Sequence, residues 1–164
     1  AKEPDSPLKK WIMAYDLEIF PQKGLGDIVF HSSIDYTVQK LGQPDHIEEI
    51  DGLDDENSMA YFYDKYHLIA FFEGFDNKVL SILETKDPNI ILFGEKVFDM
   101  DEIGIDKLMK EHGYEEIATE ILTWGGKRIS FEEANMDFYF ENDKLTAINW
   151  GCFYCEEKNT PSQN

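Results

Sequence analysis

Two hydrophobic periods share this chain. In Leu68–Glu73 the residues Leu68, Ala70 and Phe72 alternate with Ile69, Phe71 and Glu73, and in Asn135–Glu141 the residues Met136, Phe138 and Phe140 alternate with Asp137, Tyr139 and Glu141. A period of two is the mark of a strand with one buried face. Comparable runs predict strands over His46–Ile50, Met59–Tyr63, Lys78–Glu84, Ile117–Trp124, Lys127–Glu132 and Lys144–Trp150, with short ones at Ile90–Phe93 and Lys96–Phe98. Helical spacing occurs twice: Ile34, Val38 and Leu41 within Ser33–Leu41, and Ile105, Leu108, Met109 and His112 further on. Ser32 or Ser33 would cap the first helix and Asp99 or Asp101 the second; Gly42 and Gly113 suit the C-terminal ends, and Pro44 stops the first helix. Tyr15, Leu17 and Ile19 set against Asp16 and Glu18 predict an edge strand at the end of Leu8–Phe20. Gly125-Gly126 reads as a two-residue hairpin turn, and Asn142-Asp143 joins the last two strands.

The pattern occurs twice. YDKYHLIAFFEGFDNKVLSI (63–82) aligns with FEEANMDFYFENDKLTAI (131–148) if Gly74-Phe75 is an insertion, which sets Ile82 against Ile148. Each copy follows a helix that ends in glycine. A repeat of this length is one supersecondary unit used twice. The expected fold class is α+β: two tandem units, each a helix and a four-stranded antiparallel sheet, forming one extended sheet with both helices on one face. The expected organisation is a lead-in and edge strand (1–23), a first repeat (24–86), a second repeat (87–155) and a disordered polar tail (156–164). Lys86–Asn89, with Pro88, is the joint between the copies.

The helix ends SSIDYTVQKLGQPD and EIGIDKLMKEHGYEE, each followed by strands that finish in FDNKVLSI or ENDKLTAI, give the chain a resemblance to the β-lactamase inhibitor protein and to small outer-membrane lipoproteins that carry a single copy. It spans about residues 24–150. The resemblance implies an open concave sheet face that meets a target enzyme. The chain departs from the secreted inhibitor in its greater acidity and in lacking that protein's four disulfide-paired cysteines; no individual functional residue carries over.

Charge narrows the partner. Thirty-four Asp and Glu against 15 Lys and Arg give a net charge of −19. Such a field repels nucleic acid and anionic membrane and draws basic partners. Solubility alone would explain it equally well. Arg128 is the lone arginine, which argues against phosphate recognition. The apolar runs are too short to span a bilayer. Cys152 and Cys155 form a CxxC without a second pair for zinc, and read as two thiols near a strand end; so few cysteines favour a reducing compartment. His31, His46, His67 and His112 lack metal-ligand spacing, DGLDDEN (51–57) lacks the register of a calcium loop, and no nucleophile, zincin or phosphate-loop motif occurs.

These readings converge on a non-enzymatic acidic binding protein without metal or cofactor. It would be an inhibitor or a bacterial immunity protein that neutralises a basic partner such as a nuclease toxin, in a cytoplasmic setting. The alternatives are an envelope-associated scaffold domain, periplasmic after N-terminal processing, and a DNA mimic. Partner binding is expected from Phe71, Tyr139, Trp124 and Trp150 as aromatic anchors and from Asp54, Asp55, Glu56, Asp137 and Glu141 as charge.

Overall fold

The structure, a computed structural model, describes residues 17–51, 57–115 and 118–153. The lead-in, most of the stretch 8–20, the loop residues Asp54, Asp55 and Glu56, the second cysteine and the polar tail lie outside the described residues. The elements are β1 (Glu18–Phe20), β2 (Gly24–Leu25), β3 (Ile28–Val29), α1 (Ile34–Leu41), β4 (His46–Asp51), β5 (Asn57–Tyr63), β6 (Leu68–Glu73) and β7 (Val79–Thr85). They continue with β8 (Ile91–Leu92), β9 (Glu95–Lys96), α2 (Glu102–Glu111), β10 (Ala118–Ile121), β11 (Lys127–Phe131), β12 (Met136–Glu141) and β13 (Lys144–Gly151). The class is α+β, with mostly antiparallel strands in two sheets.

The helices begin where their caps dictate. Ser33 Oγ accepts from the Tyr36 N–H at 3.1 Å, and Asp101 Oδ1 accepts from the Gly104 N–H at 2.9 Å, each satisfying a donor with no partner in the first turn. Gly42 closes α1 at φ +88°, a left-handed geometry open to glycine.

The large sheet runs β10-β11-β12-β13-β7-β6-β5-β4, antiparallel throughout. It consists of two four-stranded meanders, β4–β7 and β10–β13, joined where β7 pairs with β13. Directly paired residues share a face. One continuous row is Tyr63, Leu68, Thr85, Ile148, Phe138 and Ile129; the next is Tyr61, Ala70, Leu83, Trp150, Met136 and Phe131. All of these are buried except Tyr61, which packs against the same core. Each large apolar side chain so buried contributes about 1.5–3 kcal/mol relative to exposure.

A second layer covers this face. Tyr63 donates to the Gly42 carbonyl at the end of α1 (3.0 Å), Lys127 donates to Glu102 of α2 (2.8 Å), and Trp150 Nε1 donates to the Gly24 carbonyl (3.0 Å). Tyr63, Lys127 and Trp150 all point to the same side of the sheet, so both helices and the β2–β3 hairpin lie over one face. The hairpin belongs to a five-stranded small sheet, β9-β8-β1-β2-β3, whose Ile19, Leu25 and Leu92 are fully buried.

Three local expectations change. The strand ending at Phe20 is not an edge: β1 is the middle strand of the small sheet, paired antiparallel with β2 and parallel with β8. Its antiparallel partner β2, two residues long, is too short to show a period in the sequence. Gly125-Gly126 is not a two-residue turn. Leu122 N–H donates to the Gly126 carbonyl and Gly125 N–H to the Leu122 carbonyl, so Thr123-Trp124-Gly125 forms the loop tip with Gly125 at φ +94°. Asn142 and Asp143 do make a two-residue turn, both at positive φ (51° and 65°). Finally, Ile148 is buried in the covered row whereas Ile82 sits on the opposite face; Leu83, not Ile82, occupies the position matching Ile148. A one-residue slip in a strand exchanges its faces. The loop Gly74–Lys78 therefore exceeds the Asn142-Asp143 turn by three residues rather than two.

Candidate binding face

The other face of the large sheet has no layer over it among the described residues. On the β4–β7 side it presents Phe62, Ile69, Phe71 and Ile82, all half-buried, and on the β10–β13 side Arg128, Ser130, Asp137 and Tyr139, also half-buried. At the junction Glu84 stands opposite Asn149, whose Nδ2 donates to Glu84 Oε1 at 3.3 Å.

The polar side carries its own charge network. Arg128 forms an ion pair with Glu120 and a hydrogen bond with Tyr139. The bond to Tyr139, with the carboxylates of Glu120 and Asp137, raises the Arg128 guanidinium above its ordinary value. Burial, and then the Asp137 charge, push the Tyr139 phenol up while Arg128 pulls it down, so Tyr139 stays a neutral hydrogen-bonding group.

Two recesses open onto this face on either side of Glu84 and Lys86. One, of about 340 Å³, lies between Phe62 and Ile69, with Asp64 and His67 at its rim. The other, also about 340 Å³, is bounded by Trp124, Tyr139, Glu141, Glu84 and Lys86. Trp124 is set there by a missing side chain: a Cβ on Gly126 would lie 1.8 Å from its ring, so the indole folds back over bare backbone.

Of the anchors expected from sequence, Phe71, Tyr139, Trp124, Asp137 and Glu141 reach this side of the sheet, and Trp124, Tyr139 and Glu141 meet in one recess. Trp150 is a correction. It is 0% exposed and hydrogen-bonded within the core, because its place in β13 puts it on the covered face. Asp54, Asp55 and Glu56 lie outside the described residues. Ile69 reaches this side as its alternation with Leu68 and Ala70 implies, whereas Phe62, Glu84 and Lys86 join it only through the cross-strand register. The one available signal was Glu84, a carboxylate inside the apolar run LSILET.

Cys152, read as a thiol, is disulfide-bonded. No cluster of three metal-ligating side chains occurs among the described residues. No helix among them is long and apolar enough to cross a membrane. Aromatic faces beside carboxylates, on backbone already committed to a sheet, suit the capture of cationic and flat apolar groups. The fold and this face define a class: an α+β protein with one face of a large antiparallel sheet covered and, among the described residues, no layer over the other. No family model, curated protein or solved structure matches the chain.

Proposed function

We propose that the chain is a non-enzymatic acidic binding protein, an inhibitor or immunity protein, that presents the open sheet face to a basic protein partner. The observation that carries this reading is the open face itself, where half-buried aromatics stand among carboxylates in a chain of net charge −19. Aromatic anchors supply interface energy, and the acidic field accelerates encounter with a cationic surface.

The same proposal includes a duplicated unit. Several correspondences support it. Each meander contains a 3₁₀ turn followed by a left-handed residue, His67 (φ 51°) and Asn135 (φ 53°). Each has a register shift at the same place, between Phe71 and Phe72 and between Tyr139 and Phe140. At the junction Leu83 pairs with Trp150, Glu84 with Asn149 and Thr85 with Ile148. Equating Leu83, Glu84 and Thr85 with Ile148, Asn149 and Trp150 returns the same pairs, as a two-fold axis through Glu84 and Asn149 requires. The resemblance to β-lactamase inhibitor-type repeats agrees with such a face. The oxidised Cys152 favours the periplasmic or envelope-side setting over the cytoplasm.

Immobilised chain exposed to native lysate, at low salt and at several-fold higher salt, tests the reading. A net-basic protein should be retained at low salt by the wild type and lost from a Phe71→Ala/Tyr139→Ala variant. Retention of acidic proteins only, or equal retention by the variant, would contradict it.

A further inference from the structure

The recess between Trp124 and Tyr139 differs from the rest of the open face in what it can hold. Two aromatic rings and two carboxylates, Glu84 and Glu141, border a single space of about 340 Å³. Trp124 is 57% exposed yet seated over Gly126, so the ring is placed before any guest arrives. Glu141 makes no ion pair or side-chain hydrogen bond among the described residues. The nearby guanidinium of Arg128 is already held by Glu120 and Tyr139. Lys86 is the one cation bordering the recess, on its Glu84 side.

We propose that this recess is an arginine site: it takes a guanidinium-bearing side chain from the basic partner, stacked on Trp124 and Tyr139 and paired with Glu141. A flat cation with several donors uses both elements at once, stacking on the rings while bonding the carboxylate in two places; a lysine ammonium can do only part of this. Within the molecule's negative field, a neutral or anionic guest lacks the complement that the rings and carboxylates offer. This rests on the open-face reading and names the chemistry of one contact within it. Lys86 opposes the guest and tempers affinity.

The test is a fluorescence titration of the full chain with acetyl-Gly-Arg-Gly-amide, set against the same peptide carrying citrulline, which keeps the shape and removes the charge. The arginine peptide should saturate with a dissociation constant on the order of 1 mM at low salt, and the citrulline peptide should not. Amide chemical shifts in β12 report the same binding in variants that lack the indole. Trp124→Ala and Glu141→Gln should each weaken binding roughly threefold to tenfold, and Lys86→Met should tighten it. Gly126→Ala, which displaces the indole, should behave as Trp124→Ala does. Equal binding of the citrulline peptide, absence of saturation, or loss of binding in Lys86→Met would overturn the proposal. If the peptide fails while Phe71→Ala still releases the basic partner, the arginine site falls and the open-face reading stands. If the peptide binds and Phe71→Ala changes nothing, the recess holds a guanidinium but the open-face reading falls, and with it the assignment of that guanidinium to the basic partner.

Discussion

On the covered side of the large sheet, Leu68, Ala70 and Phe72 of β6 hold the places that Met136, Phe138 and Phe140 hold in β12, and all six are buried. On the open side, Ile69, Phe71 and Glu73 stand where Asp137, Tyr139 and Glu141 stand in the other meander. The first trio is mostly apolar; the second is polar with one aromatic. Packing explains the contrast. A covered position must fill a fixed volume and tolerates only apolar exchange, whereas an open position answers to solvent and to whatever meets it. The two meanders thus give the face an apolar half and a charged half, meeting at Glu84 and Asn149.

Substitutions that cross from one side to the other break this comparison most severely. Trp150→Ala should cost about 3–5 kcal/mol in urea unfolding, and Phe72→Ala a similar amount, since both are 0% exposed. Phe71→Ala, one residue from Phe72 but on the open face, should cost roughly 1 kcal/mol. Ala70→Asp should prevent folding, while Ile69→Asp, which copies the residue found at Asp137, should be tolerated within about 1 kcal/mol. Equal costs for the neighbours Phe71 and Phe72 would mean that something covers the open face.

Alkaline unfolding comes next in size. Burial, then the neighbouring Tyr61 and Tyr66, push the Tyr63 phenol up to about 12 from 10.0. The fold therefore favours the neutral, protonated form. That contribution is complete below pH 10.0 and is lost as pH rises through about 12. Urea midpoints measured across this window should fall in the wild type and fall less in Tyr63→Phe, which sits about 1 kcal/mol lower at neutral pH for want of the bond to Gly42.

Capping effects are smaller. Ser33→Ala and Asp101→Ala should each cost about 1 kcal/mol. Trp124→Ala should lie within about 0.5 kcal/mol of wild type, although it removes the larger part of an exposed aromatic. A large loss there would make Trp124 a structural residue and weaken its role in the recess.

Much of the fold was legible in the pattern of side chains. The alternation in β6 and β12 set their faces correctly, and residue type narrowed each cap to two nearby candidates, of which Ser33 and Asp101 are the ones used. What the pattern could not carry was register. Whether Trp150 points inward, and whether Ile82 or Leu83 matches Ile148, depend on where a bulge falls, and a bulge leaves little trace in an apolar strand. The small sheet was legible only in part: strands were expected at the end of Leu8–Phe20, at Ile90–Phe93 and at Lys96–Phe98, whereas Gly24–Leu25 and Ile28–Val29, two residues each, contain no period. The candidate site was partly legible. Tyr139 and Glu141 are on one strand and could be grouped by alternation, whereas Trp124 joins them through a loop and Glu84 through the pairing of distant strands.

The most direct test of the open face is association kinetics with the basic partner, at low and at several-fold higher salt, for the wild type, Phe71→Ala and Tyr139→Ala. The association rate should fall at least about tenfold with salt in all three, and dissociation should be markedly faster in the two variants. A salt-insensitive association rate, or dissociation unchanged by either substitution, would contradict the account.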